Sequence, residues 1–361
     1  MKNAQKMTEG GYNRQIISPS GQTLDSLLEN CPKNQIIGDN LVRAWAKINS
    51  EKYKKIVCSI SGGSDSDIML DICIRCDKDK KIDYVWFDTG LEYQATKDHL
   101  KFLKEKYEIE IKEYRAIKPI PTCCREYGQP FLSKNVSNYM GRLQKHHFQW
   151  ENEPIEILLP KYCKWNVKKQ DWVGCKFALK WWCASNGENS RFNITQNKWL
   201  KEFIIENPPQ FKISNICCQY AKKDVSHKLI SEFGYDLNIF GIRKAEGGVR
   251  STTYKSCFDE NEDGCDNYRP LFWYKNSDKE DYEQYYGIVH SKCYTEYGLK
   301  RTGCAGCPYG RNFEYELDVM KKYEPKLYKA VNNIFGESYE YTRKYKDFCK
   351  MMNEKKKNKY I

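Results

Sequence analysis

The sequence predicts an α/β fold built on a doubly wound parallel sheet, carrying a basic insertion and a cysteine-bearing C-terminal subdomain. Three observations predict it. A short apolar run, Lys55–Ile60 (KIVCSI), breaks into Ser61-Gly62-Gly63 and is followed from Ser66 by apolar residues at helical spacing (SDIMLDICIRC). Two more strand-like runs, Tyr84–Phe87 (YVWF) and Ile109–Tyr114, flank an amphipathic stretch, Gln94–Tyr107. A further core strand, Leu237–Ile242 (LNIFGI), resumes this rhythm after a long interruption. Strands separated by helices of such length pair in parallel, because each crossover returns the chain to the same edge of the sheet.

The elements follow in order. Residues 1–50 are expected to form an N-terminal extension, helical near Leu41–Ile48, and residues 51–125 the first part of the core. In Gln94–Tyr107, the side chains of His99, Phe102 and Leu103 fall on or near one face. From Pro119 to about Pro209 no α/β pattern is legible, and residues 126–210 are taken as a basic, aromatic-rich insertion. Residues 211–320 are expected to complete the core and carry the cysteine subdomain. Within them, Ser277-Asp278-Lys279-Glu280 has capping-box spacing and predicts a helix through Tyr286. Residues 321–361 are expected to form a C-terminal helix with a lysine-rich tail. There is no internal repeat.

Composition narrows the class. The 361 residues are 40% hydrophobic and 14% aromatic, enough to fill a real core. Mean hydropathy is −0.80, and no apolar run approaches the roughly 20 residues of a membrane helix. The first thirty residues contain no apolar core of a signal peptide, so a cytoplasmic location and no membrane partner are expected. In a reducing compartment the 17 cysteines are not expected to form a disulfide framework, and clustered ones become candidates for metal ligation or redox chemistry. The net charge of +12 favours anionic partners, either nucleic acid or a phosphorylated small molecule.

The turn between the first strand and its helix is the strongest chemical signal. A glycine-rich strand-to-helix turn presents several backbone N–H groups, and the helix N-terminus adds positive potential. Gly62 and Gly63 let the backbone approach phosphate oxygens closely, and Ser61 and Ser66 can add hydroxyl donors. Asp65, itself anionic, would meet phosphate only across Mg²⁺. No lysine follows the second glycine as in G-x-x-x-x-G-K-[ST], so this is not a Walker A loop. Asp88-Thr89-Gly90, one strand later, also falls at the carboxyl edge of the sheet, where open α/β folds bind ligands.

Ser61–Ser66 (SGGSDS) followed by YVWFDTG resembles the PP-loop, or adenine nucleotide alpha-hydrolase, superfamily, and within it the phosphoadenosine-phosphosulfate (PAPS) reductase family. GIRKAEGGVR at Gly241–Arg250, Arg269-Pro270-Leu271, the helix after Ser277 and TGCAGCPYG at Thr302–Gly310 resemble the same family. The resemblance covers about residues 50–125 and 210–315. It implies that Ser61, Gly62, Gly63, Ser64, Asp65 and Ser66 hold the phosphates, with Asp88 and Gly90 bordering the nucleotide. It further implies that Arg243, Glu246 and Arg250 complete the pocket, with Asp65, Arg243 and Arg250 as catalytic candidates.

Cys217-Cys218 and Cys304-Ala305-Gly306-Cys307 form a CC…CxxC set. A cluster in which each iron takes one thiolate suits adjacent cysteines better than zinc, whose small tetrahedron usually draws on spaced pairs. Zinc, or buried or redox-active thiols, remain the other readings of the spacing. The pattern is similar to that of adenylylsulfate reductases, and that resemblance implies a 4Fe–4S cluster. Cys123-Cys124 is a second adjacent pair without a CxxC partner; it is left unassigned, with a place near the active site as sulfur carrier as one option.

Two features depart from the reductases. Their Glu-Cys-Gly-Leu-His tail is absent, and the last cysteine, Cys349, lies in a helix-like stretch (KDFCKMM) that reads as a packing position. The loop has SGG where reductases usually carry S-F-G, and so resembles members that use ATP with Mg²⁺, among them sulfurtransferases acting on nucleic acid. The expectation is ATP-dependent adenylation with loss of pyrophosphate, coupled to sulfur transfer and aided by a sulfur-donor protein. A sulfonucleotide reductase is the alternative, and a nucleotide-sensing component of a larger assembly a third. Between Lys161 and Lys201, nine Lys/Arg face two Asp/Glu, interleaved with Trp165, Trp172, Trp181, Trp182 and Trp199. These could stack on unpaired bases, or the tryptophans could form the core of the insertion.

Overall fold

The computed structural model describes residues 23–247, 253–262 and 264–358. Its strands, in chain order, are β1 (Ile56–Ile60), β2 (Ile82–Asp88), β3 (Ile111–Arg115), β4 (Cys163–Asn166), β5 (Asp171–Gly174), β6 (Leu237–Phe240), β7 (Phe258–Asp259) and β8 (Asp266–Tyr268). Helices α1 (Leu24–Glu29), α2 (Gln35–Ile48), α3 (Ser64–Cys76), α4 (Gln94–Tyr107), α5 (Ile120–Tyr127), α6 (Lys134–Lys145) and α7 (Ile155–Tyr162) come first. They are followed by α8 (Lys176–Trp182), α9 (Leu200–Glu206), α10 (Asp224–Phe233), α11 (Asn276–Tyr286), α12 (Lys292–Thr295), α13 (Phe313–Tyr323) and α14 (Pro325–Asn358).

The described residues fall into two compact units. The first draws on residues 23–88, 92–116 and 222–303 and holds a six-stranded sheet in the order β3-β2-β1-β6-β8-β7. β1 is central and parallel to both neighbours, with Ile56 opposite Ile82 on one side and Leu237 on the other. β3 and β8 extend the parallel sheet, and β7 closes one edge antiparallel. The expected parallel α/β architecture is therefore present.

Its core is the consequence of the apolar runs. Ile56, Cys58 and Ile60 of β1 pack with Ile68, Leu70 and Ile72 of α3, Leu237 and Ile239 of β6, and Leu41 and Ala44 of α2. Burying each large aliphatic among these contributes about 1.5–3 kcal/mol. Asn34 caps α2 by accepting from the N–H groups of Ile36 and Ile37. In α4, His99 and Leu103 are buried, while Phe102 is more exposed and stacks on the His99 ring at 5.9 Å. The helix predicted after Ser277 begins two residues earlier, at Asn276, with Lys275 in place of Ser277 at the N-cap. The carboxylate that closes the box is that of Asp278, accepting from the Lys275 N–H at 2.8 Å, so the Ser277/Glu280 pairing is corrected.

The second unit draws on residues 89–91, 117–221 and 304–358. The stretch without legible rhythm holds five short helices, α5 to α9, and the antiparallel hairpin β4–β5. Trp181 and Trp182 are buried together with Phe131, Leu143, Phe148 and Phe203, so these two tryptophans belong to a core. The 34-residue α14 adds Tyr341, Tyr345 and Phe348 to that core. Cys349 is half-buried on the same helix, its thiol 3.5 Å from the Lys198 carbonyl. No described helix is long and apolar enough to cross a membrane.

Candidate phosphate site and cysteine group

β1 delivers the chain to Ser61, and α3 starts at Ser64, so the glycine turn sits at the carboxyl end of the central strand. The turn is held by its own serines. The Ser61 N–H donates to Ser66 Oγ at 2.9 Å, and the Gly63 N–H donates to Ser61 Oγ at 3.4 Å. Gly62 has φ +65°, and a Cβ there would lie 2.9 Å from Thr96 Cγ2, so both backbone and space require glycine. A Cβ on Gly63 would press at 3.3 Å on Ser61 Oγ and the Tyr294 hydroxyl.

A cavity of about 300 Å³ opens beside this turn. Ser59 of β1, Phe240 of β6 and Gly241 just beyond it lie in its wall, so it sits at the carboxyl ends of two adjacent strands whose chains depart in different directions. That is the position where open parallel sheets bind ligands. Ser61, Gly63, Ser64, Asp65 and Ser66 line it, as do Arg243 and Glu246 from the segment after β6. Lys279, Tyr294, Lys300, Arg301 and Thr302 complete the lining.

Asp65 is the hub. Arg243 Nε and Lys279 Nζ each stand 2.9 Å from its carboxylate. Burial opposes ionisation of Asp65, but the Arg243 hydrogen bond and the Lys279 charge outweigh it and hold the carboxyl below its ordinary range. Lys279 also donates to Ser64 Oγ at 2.6 Å, and Arg243 Nη1 to Asn276 Oδ1 at 3.0 Å. Arg301 lies 3.9 Å from Glu246. Four cations against two carboxylates leave the cavity positive, and the α3 N-terminus adds to it.

A second layer supports the lysine. Glu283, 3.5 Å from Lys279, accepts from His290, whose other ring nitrogen is 2.8 Å from the buried Asp67. Burial works against protonation of His290, yet the Asp67 and Glu283 hydrogen bonds raise it to about 9. Sequence reasoning placed neither Lys279 nor Lys300 and Arg301 in the site. Lys279 was visible only as the interior of a capping box, and nothing in its neighbours signals that α11 aims it at a loop more than 200 positions earlier.

The remaining expected residues fall as follows. Asp88 ends β2 with Lys97 at 3.8 Å and does not line the cavity. Gly90 belongs to the second unit; its φ is +79°, and a Cβ there would meet Pro119 at 2.9 Å. Arg250 lies outside the described residues.

All four cysteines of the CC…CxxC set belong to the second unit. The Cys217 thiol hydrogen-bonds with Cys124 and Cys218 and feels Cys307. Burial first, then Cys304 and Cys218, push the Cys307 thiol up to about 12. The CxxC turn is fixed by the Tyr339 hydroxyl, which donates to the Gly306 carbonyl; Gly306 itself has φ +62°. No group of three or more His, Cys, Asp or Glu among the described residues converges to hold a metal ion. Cys124, unassigned from sequence, is the unforeseen neighbour of this group.

The fold and the loop define an α/β protein with a positively charged cavity at the carboxyl edge of a parallel sheet. Residues 55–140 match the phosphoadenosine phosphosulfate reductase domain, a span from β1 through α6 that includes the glycine turn, and the chain resembles that family. No curated protein matches the chain in sequence. Among solved structures, it is similar to a phosphoadenylyl-sulfate reductase from Candida auris in phosphate complex (12% identity, 79% of this chain and 95% of that one, TM-score 0.38). It is also similar to a Candida glabrata FMN adenylyltransferase (10%, 82% and 77%, TM-score 0.40). A U34-tRNA thiolase from Methanococcus maripaludis with its [4Fe-4S] cluster gives 14%, 85% and 79%, and a TM-score of 0.35.

Proposed function

We propose that the chain is an ATP-using enzyme that adenylates an acceptor oxygen, releases pyrophosphate and couples this to sulfur transfer. The observation that carries the reading is the positive cavity where SGGSDS meets Arg243 and Lys279 at the carboxyl ends of β1 and β6. The turn amides and the hydroxyls of Ser61, Ser64 and Ser66 would receive the β- and γ-phosphates. Arg243, Lys279, Lys300 and Arg301 would neutralise the charge that builds on departing pyrophosphate. The acceptor oxygen attacks the α-phosphorus, pyrophosphate leaves, and a sulfur nucleophile then displaces AMP from the activated carbon. Catalysis of this kind rests on positioning and charge neutralisation more than on acid–base groups.

Cys217, Cys218, Cys304 and Cys307 supply four sulfur donors in one unit, a set that suits a 4Fe–4S cluster. Bound there, such a cluster would supply a site for sulfur. The acceptor class we infer is nucleic acid, supported by the basic β4–β5 hairpin, on which Trp165 is 49% exposed beside the exposed Lys164, Lys168 and Lys169. Reduction of a sulfonucleotide is the competing reading. It needs a mobile nucleophilic thiol, whereas Cys349 is half-buried on α14.

Anaerobic protein given ATP, Mg²⁺, a sulfur donor and bulk RNA or DNA should form AMP and pyrophosphate and release no sulfite from adenylylsulfate or its 3′-phosphate. Gly63→Val, whose branched side chain would crowd Tyr294 and Thr302, should lower ATP affinity at least tenfold by calorimetry while the protein stays folded. Sulfite release from adenylylsulfate or its 3′-phosphate, or undiminished ATP binding by folded Gly63→Val, would reject the assignment.

A further inference from the structure

A cavity of the second unit holds about 460 Å³, within the range of small-molecule sites. It is lined by Cys124 and Arg125 of α5, by Gln129 and Lys212, and by Asn333 and Glu337 of α14, among others. Its one carboxylate is engaged. Gln129 Nε2 donates to Glu337 at 2.8 Å, while Gln129 Oε1 accepts from the Ser338 N–H at 3.0 Å. Arg125 acts through space on the carboxylate of its neighbour Glu126, and Lys212 forms no ion pair with a carboxylate among the described residues. Gly128 keeps this wall close. It has φ +112°, and a Cβ there would lie 2.3 Å from the Lys212 carbonyl that accepts the Gln129 N–H.

Cys124 is buried, borders this cavity, and hydrogen-bonds with Cys217. It thus stands between a cation-lined pocket and the CC…CxxC cysteines. We propose that the pocket admits a small anion carrying sulfane sulfur, and that Cys124 takes that sulfur as a persulfide. This deepens the sulfur-transfer reading and rests on it. The Cys124 sulfur attacks the outer sulfur of the donor, the donor S–S bond breaks, and its electron pair leaves with the inner sulfur. The thiol proton goes to the departing group, bisulfite from thiosulfate or a free thiol from a low-molecular-weight persulfide. No outside oxidant or reductant is consumed. Arg125 and Lys212 hold the donor's anionic end, and the product persulfide lies against Cys217.

The test uses the anaerobic full chain, incubated with thiosulfate in one arm and glutathione persulfide in the other, then alkylated and mapped by mass spectrometry. One added sulfur on Cys124 is expected, abolished by Cys124→Ser and retained in Cys123→Ser. Lys212→Met should slow this labelling about tenfold, while alkylation of Cys124 by neutral iodoacetamide stays unchanged. The arm that labels faster identifies the donor class. Sulfur on other cysteines but not on Cys124, or equal labelling with Lys212→Met, overturns the proposal. So does loss of bound iron in Cys124→Ser, which would make Cys124 a cluster ligand. Pyrophosphate release is read on the same preparations, so unlabelled Cys124 with intact release rejects the carrier alone and leaves the adenylation reading standing.

Discussion

Asp67 is 1% exposed yet keeps two imidazoles on its carboxylate, His99 at 3.0 Å and His290 at 2.8 Å. Through Glu283 the second of these steadies Lys279, which in turn fixes Asp65 and Ser64 of the glycine turn. His290 is raised from 6.5 to about 9, so the folded state holds its proton more tightly than the unfolded chain. That stabilisation is fully present below about pH 6.5 and is lost as the pH rises through about 9. The urea midpoint of the protein should therefore fall between these limits, and His290→Gln should flatten the fall at a cost of about 1–2 kcal/mol near pH 6. An unchanged slope in the variant would remove His290 from the network. At this scale the sequence was legible where chemistry is local. Ser61 to Ser66 are contiguous and carry their own geometry, whereas His290, Lys279 and Arg301 reach the turn only through the tertiary fold.

The hairpin β4–β5 pairs Trp165 directly with Trp172, their rings edge-to-face at 5.4 Å, and leaves Trp165 half open to solvent. Trp181, seven positions beyond β5, is 2% exposed. The two tryptophans should separate cleanly on mutation. Trp165→Ala should weaken binding of single-stranded RNA or DNA roughly tenfold, in keeping with about 1–3 kcal/mol per stacked base, and leave the melting temperature unchanged. Trp181→Ala should instead destabilise the fold by about 3–5 kcal/mol. Absence of binding at low ionic strength, read by fluorescence anisotropy, would discard the nucleic-acid acceptor. Strands of the core could be read because short apolar runs bounded by turns have few alternatives. β7 and β8, only two and three residues of mixed polarity, offer no such run. The helices from α5 to α9 were hidden because their core is aromatic and polar residues interrupt any apolar stripe.

On the scale of the whole molecule, the chain leaves the first unit, builds most of the second, returns to finish the sheet, and leaves again. Cys217-Cys218 and Cys304–Cys307 are far apart in sequence because this return path lies between them, yet both fall in the second unit. Protein prepared without oxygen should carry about four iron and four sulfide per chain, and Cys304→Ser with Cys307→Ser should lose them. Stoichiometric zinc in place of iron would end the cluster reading. The cysteine spacing was visible in the sequence; the contact with Cys124, and the part of the C-terminal helix in this unit, were not, since neither leaves a mark on spacing.

α14 serves three places from one rod. Asn333 and Glu337 face the second-unit cavity, Tyr339 holds the Gly306 carbonyl of the CxxC turn, and Tyr341, Tyr345 and Phe348 enter the aromatic core. A helix advances about 1.5 Å and turns about 100° per residue, so these duties are keyed to one another like teeth on a gear. Removing a single residue near Ser338 would leave the cavity wall in place and swing every later tooth out of mesh. The spacing of this helix is thus as much a constraint on the chain as the identity of its side chains, and length changes become harmless only beyond the last tooth.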